Sequence, residues 1–291
     1  MRTDNYTTVY VDIALRIGGE KEAESVLRNY ASALKNYLDS CVKKITGLTD
    51  LGLRRDIEEE IGFRVGQIKN PKRPPYICSA ALVGSFVFTA RHCIRDKDGN
   101  ITSLRNLSYE SSNENFSYQF NDKSDKLYAT AYYSDGKREL YFDEFKASDD
   151  IVAISVSRTP ITGNTIKLGN AKKGDALILT GKNINVGSLR SLNSDLGRRV
   201  ERLKLSERFV FDDSPICIVA HIPKKGCFLH ACQTDNQSSG SPIFIKTGNE
   251  LLLVGIHNRG FGTKETSDCW ADKFSDHTPN TAAMVENVVL P

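Results

Sequence analysis

Apolar residues recur with two different periods along this chain, and the change between them divides it. From Tyr6 to Ile17, Val9, Val11, Ile13, Leu15 and Ile17 alternate with Tyr10, Asp12, Ala14 and Arg16, a period of two that predicts a half-buried strand. Gly18-Gly19 breaks the run. Val26, Leu27, Tyr30, Leu34, Tyr37, Leu38, Cys41, Val42 and Ile45 then fall at helical spacing, which predicts a helix over about 20–45. Gly47 ends it, Asp50 can cap a second short helix, and Leu53, Ile57 and Ile61 supply that helix with an apolar face. In Lys72-Arg73-Pro74-Pro75 the two prolines can neither continue a helix nor donate a main-chain hydrogen bond, which marks a boundary.

Beyond Pro75 the pattern becomes short apolar or alternating runs. These are Tyr76 to Thr89, Leu127 to Tyr133, Ile151 to Val156, Ala176 to Leu179, Ile216 to Ile222, Cys227 to Thr234, Pro242 to Ile245 and Leu251 to His257. Gly, Asn, Asp and Lys-rich turns separate them, the punctuation of an all-β sandwich or barrel. No internal repeat is convincing. At 291 residues there is room for two domains, or for one with an extension, and for a sizeable core.

Composition narrows the picture. With 40% hydrophobic and 26% charged residues the chain is an ordinary globular one, not a disordered one. A formal charge of +3, with basic residues interleaved among acids, gives no electrostatic footprint for a nucleic acid. No apolar stretch is long enough to cross a membrane, and Met1 to Glu20 lacks the apolar core of a secretory signal. The seven cysteines (Cys41, Cys78, Cys93, Cys217, Cys227, Cys232 and Cys269) are an odd number, so at least one is unpaired within a monomer. Together these features favour reduced thiols and a cytoplasmic location, with export by a route that reads no cleavable signal as the alternative.

The run from Cys78 to Cys93 is an apolar strand ending in Thr89-Ala90-Arg91-His92-Cys93. A histidine at the end of a buried strand can be held rigidly while exchanging protons near neutral pH. Asp149-Asp150 directly precedes the apolar run Ile151 to Ile154, and Gln237-Ser238-Ser239-Gly240-Ser241-Pro242 places a serine among small residues. These three segments, in the order His, Asp, Ser, resemble the T-A-A-H-C, D-I-x-L and G-D-S-G-G-P signatures of trypsin-like and chymotrypsin-like serine proteases. The S-G-S-P ending and the later G-I-H-x-x-G, Gly255 to Gly260, are closest to the glutamyl endopeptidase branch. Ile166 to Gly181 also resembles the entry to that family's second barrel, so the likeness runs from about Tyr76 to Val289.

The resemblance implies a mainly-β fold, a chymotrypsin-like double β-barrel. Its barrels would span residues 71–163 and 164–291, preceded by an N-terminal strand and helical extension at 1–70. It implies a serine endopeptidase with His92 as general base, Asp150 as its orienting partner and Ser239 as nucleophile, needing no cofactor and no metal. Asp150 suits this role better than Asp149 because it directly precedes the isoleucine. Main-chain amides of Gln237 and Ser239 would form the oxyanion hole. Thr234, His257 and Gly260 would bind substrate, the Thr and His pair implying cleavage after Glu or Gln, with a protonated imidazole attracting the acid. Gly260 would leave space for an extended peptide to pair with the strand, and Arg259 could add to the acidic preference.

Three positions depart from the pattern. Arg91 stands where the signature has Ala. Gln237 replaces a glycine, which suggests an oxyanion hole completed by substrate or a partner, and makes a catalytically silent protein-binding module the alternative function. Ser238 replaces the aspartate that pairs with a new amino terminus in trypsin-type zymogens, so activation of that kind is not expected. The resemblance also implies a Cys78–Cys93 bridge, and Cys232 could approach Cys269. His221, Cys227, His230 and Cys232 crowd together as zinc ligands might, but strand alternation puts Cys227 opposite His230 and Cys232. The N-terminal helices read as a cap on the barrels, an adaptor for a protein partner, or an inhibitory segment; packing is the favoured explanation.

Overall fold

A computed structural model describes residues 19–25, 64–72, 77–112, 116–129, 131–134, 137–140, 147–158, 166–182, 209–212, 217–232, 234, 238–248, 250–259, 269 and 280–291. The strand expected at 6–17, most of the helix expected at 20–45 and the second helix lie outside them; residues 20–25 are helical.

The chain is mainly β, as expected. In order come β1 (Val65–Lys69), β2 (Ile77–Val83), β3 (Phe86–Thr89), β4 (Ser108–Ser111), β5 (Ser117–Gln119) and β6 (Leu127–Ala129). A separate ribbon, β7 (Ala131–Ser134) with β8 (Lys137–Leu140), precedes β9 (Val152–Ser155). The first sheet has the order β5-β4-β1-β2-β3-β9-β6. Its strands pair antiparallel throughout. The expected run from Tyr76 to Thr89 is thus two strands, folded back at Gly84, whose φ of +58° suits glycine. β2 is apolar along nearly its whole length because it is central and covered on both faces. β1, which precedes the Pro74-Pro75 punctuation, lies between β2 and β4, so this sheet begins before residue 71.

The second sheet is built from β10 (Lys167–Leu168), β11 (Ile178–Lys182), β12 (Phe209–Asp212), β13 (Val219–Lys224), β14 (Cys227–His230), β15 (Pro242–Thr247), β16 (Glu250–Arg259) and β17 (Thr281–Met284). Its order is β12-β11-β15-β16-β17-β14-β13, with β10 parallel to β16. One apolar core joins the sheets: Val87, Phe88 and Ile154 of the first sheet with Phe244, Leu253 and Ile256 of the second. Asn287 adds a polar tie, its Nδ2 donating to the carbonyls of Ser148 at 2.7 Å and Gly226 at 2.6 Å.

Candidate active site

β3 and β9 run antiparallel with Thr89 opposite Val152. The residues following one and preceding the other therefore emerge at the same end of the sheet. After Thr89 the chain makes a 3-10 turn over Arg91–Ile94, closed by Cys93 N–H donating to the Ala90 carbonyl at 3.0 Å. The turn buries Arg91, Cys93 and Ile94 and leaves His92 half-buried. Asp150, fully buried, grips this histidine twice. Its Oδ1 accepts from His92 main-chain N–H at 2.8 Å, and its Oδ2 lies 2.7 Å from ring Nδ1.

Burial alone would push the Asp150 carboxyl up. The charge and hydrogen bonds of His92, with a smaller contribution from the charge of Arg91, instead hold it below the ordinary carboxylate value. The arginine that breaks the T-A-A-H pattern is thus a buried cation in range of the carboxylate. Behind the turn, buried Asn70 donates from Nδ2 to the carbonyls of Cys93, 3.2 Å, and Arg95, 2.9 Å. Sequence reading offered no signal for Asn70.

Ser239 is half-buried on the turn entering β15. Its carbonyl accepts from Ser79 N–H of β2 at 2.9 Å, which ties the serine's turn to the first sheet. Gly240 N–H donates to the His257 carbonyl at 2.8 Å, and His257 N–H donates to Ser241 at 2.8 Å, so β16 clamps the same turn from the other side. Gly240 has φ +81°, and a Cβ there would run into the Ser79 carbonyl and come within 2.6 Å of Thr89 Oγ1. Glycine is required here by both space and backbone. His92, Asp150 and the Ser239 turn are therefore joined through β2, β3 and β9. Gln237 and Gly260 lie outside the described residues.

The other residues expected to bind substrate have partners the sequence did not reveal. Thr234 Oγ1 donates to Asn280 Oδ1 at 3.0 Å, and Asn280 Nδ2 donates to the Cys232 carbonyl at 2.8 Å. His257 is 2% exposed, and its Nδ1 lies 3.0 Å from Nε2 of the fully buried His230. Burial, then the nearby charge of His92, lowers His257 to about 3, against weaker opposing effects of the Thr281 carbonyl and Asp150. Burial, then His257, likewise lowers His230 well below its usual value. The protonated imidazole expected from sequence is thus corrected. His257 is uncharged at neutral pH because its low-dielectric surroundings penalise the cation.

Six cysteines are bridged: Cys78–Cys93, Cys217–Cys232 and Cys227–Cys269. The expectation of reduced thiols, and of Cys232 approaching Cys269, is corrected. β13 and β14 form a hairpin with Val219 opposite His230, which brings Cys217 and Cys232 together at its open end. Cys227 and Cys232 are consequently not available as zinc ligands. Cys78, His92 and Cys93 place ligand atoms within 4.8 Å of one another, but both sulfurs are in a bridge. Peptide mapping without reduction is expected to recover these three bridges and alkylated Cys41. Recovery of Cys232–Cys269, or of six alkylated thiols, would contradict the arrangement.

No family model matches the sequence, and no curated protein matches it. Solved structures do. A Glu endopeptidase in complex with MPD is 13% identical, with 77% of this chain and 85% of that one covered at a TM-score of 0.46. Catalytically active tobacco etch virus protease complexed with product is 16% identical, covering 82% and 80% at 0.45. The protease Anisep from Arthrobacter nicotinovorans is 15% identical, covering 77% and 90% at 0.46. Likeness at these values says nothing of substrates or of residue roles.

Proposed function

We propose that this chain is a serine endopeptidase of the chymotrypsin-like class, with the two sheets as its two barrels and the site between them. The double grip of buried Asp150 on His92 carries the reading. A carboxylate bonded to Nδ1 fixes the tautomer whose lone pair is on Nε2, and it stabilises the imidazolium formed when that lone pair takes a proton. His92 removes the Ser239 hydroxyl proton as Oγ attacks the scissile carbonyl. Main-chain N–H groups of Gln237 and Ser239 bind the oxyanion. His92 then protonates the leaving amine, and water, activated by the same base, hydrolyses the acyl-enzyme. This chemistry requires no cofactor.

Thr234, His257 and Gly260 form the substrate side of the proposal, with cleavage after Glu or Gln. His257 supports this reading because its main chain is bonded to the serine's turn. Among the described residues no helix is long and apolar enough to cross a membrane. The three bridges fit an oxidising compartment better than the cytoplasmic setting suggested by the thiol count.

A serine-directed fluorophosphonate tests the nucleophile. Folded protein is expected to label at Ser239, with Ser239→Ala abolishing both labelling and peptide hydrolysis. A folded wild-type chain that fails to label, or labels equally in the variant, would remove the assignment in favour of a silent binding module.

A further inference from the structure

The turn that carries His92 is weakly held by its own bonds. Cys93 N–H reaches the Ala90 carbonyl at 3.0 Å, but Arg95 N–H is stretched to 3.4 Å from the His92 carbonyl. No side chain caps the start of the turn at Ala90. A short 3-10 turn leaves its last carbonyls without partners of its own, so groups from outside must take them. Thr102 N–H takes the Ile94 carbonyl at 2.8 Å. Asn70 Nδ2 takes the carbonyls on either side of it, Cys93 at 3.2 Å and Arg95 at 2.9 Å.

The Asn70 amide has one consistent orientation. Oδ1 accepts from Lys72 main-chain N–H at 3.1 Å, so the nitrogen is the atom that faces the two carbonyls. Thr102 Oγ1 lies 3.2 Å from Nδ2 and 3.4 Å from Oδ1. As a donor to Oδ1 it leaves both amide protons to the carbonyls. Asn70 is 4% exposed, so bulk water does not compete for these bonds.

Placement in the fold gives these bonds a consequence beyond packing. Asn70 directly follows β1, whose Ile68 stands opposite Cys78 of β2. Cys78 is bridged to Cys93, and the next residue, Ser79, holds the Ser239 carbonyl. β1 and β2 are thus one frame that holds the serine's turn through Ser79 and the histidine's turn through Cys78 and Asn70. Asp150 grips the front of the histidine's turn, at His92 N–H and ring, while Asn70 holds the carbonyls that follow. We propose that Asn70 is a positioning residue for catalysis, setting the angle at which His92 presents Nε2 to Ser239. This rests on the reading of His92 as the base of a serine endopeptidase.

The experiment compares peptide hydrolysis by Asn70→Ala with that by Tyr109→Phe. The second variant removes another buried hydrogen bond of the same sheet, Tyr109 Oη to the Arg64 carbonyl at 3.0 Å, at the opposite end of β1. Asn70→Ala is expected to lower kcat by roughly a hundredfold with KM within about twofold of wild type. Tyr109→Phe is expected to lower the melting temperature and leave kcat in place. In proton NMR the downfield resonance of His92 Nδ1–H, bonded to Asp150, should shift or broaden in Asn70→Ala and stay unchanged in Tyr109→Phe. Asn70→Ser, whose hydroxyl serves one carbonyl at most, is expected to lose roughly tenfold in kcat and keeps the test decisive should Asn70→Ala fail to fold. A kcat within about threefold of wild type in the folded Asn70 variants, or an equal loss in Tyr109→Phe, would overturn the role of Asn70 and leave the protease reading standing. A wild type that neither hydrolyses peptides nor takes the fluorophosphonate would overturn the protease reading and this inference with it.

Discussion

Asp150→Asn is expected to lower kcat by roughly four orders of magnitude while leaving the fold intact. Asp150 is acceptor-only and serves two donors, His92 N–H and Nδ1–H. An asparagine has one acceptor and one donor. With its oxygen on the His92 main chain, its NH2 faces Nδ1 and selects the tautomer whose lone pair is on Nδ1. The proton then sits on Nε2, where the serine's proton must go, and the base is lost without loss of packing. Asparagine keeps the shape of the side chain while the buried cation of Arg91 loses a nearby anion, so a folded protein with a lowered melting temperature should accompany the lost turnover. A drop in kcat of less than about tenfold would show that His92 is oriented by something other than this carboxylate.

The buried histidine pair makes the second large prediction, one of acid lability. Both rings have folded values depressed below the usual 6.5, His257 to about 3. A histidine held neutral in the fold binds its proton more readily when unfolded. The stability it contributes is therefore complete above about pH 6.5 and is lost as pH falls toward the folded value. A ring contributes a slope of about 1.4 kcal/mol per pH unit inside that window, so His257 by itself should remove roughly 2 kcal/mol between pH 7 and pH 5, and His230 acts in the same direction. That is a large share of a typical domain's stability of about 5–15 kcal/mol. Asp150 does not act in this range. Its carboxyl is depressed from 3.8, so its contribution is present above that value and lost only as pH falls below it. Urea unfolding at the two pH values is the measurement, with a His230→Leu, His257→Gln double variant expected to show a much shallower pH dependence. A wild-type change below about 1 kcal/mol would mean that the rings accept protons without opening the core.

Much of the strand content was legible because central strands bury both faces and therefore stay apolar along their length. β2, β3, β9 and β16 all announce themselves this way. β5, with the sequence Ser-Tyr-Gln and two of three residues exposed, does not; as an edge strand it has little apolar burial to write into the sequence. β17, Thr-Ala-Ala-Met, was missed for the opposite reason. It is wholly buried between β16 and β14, where small residues fit and leave a weak hydropathic signal. Bridge partners were not readable either, since spacing along a chain does not specify which sulfurs meet.

By itself the sequence determined the mainly-β character of the chain and the segments that hold His92, Asp150 and Ser239, because burial period and short motifs are local properties of neighbouring residues. Tertiary structure alone decided what those residues touch. It set the carboxylate on both donors of His92, glycine 240 against Ser79, and Asn280, 46 positions from Thr234, behind that hydroxyl. It also decided that His257 is neutral. Charge state depends on the dielectric and partners that folding assembles, and those come from strands far apart in the chain.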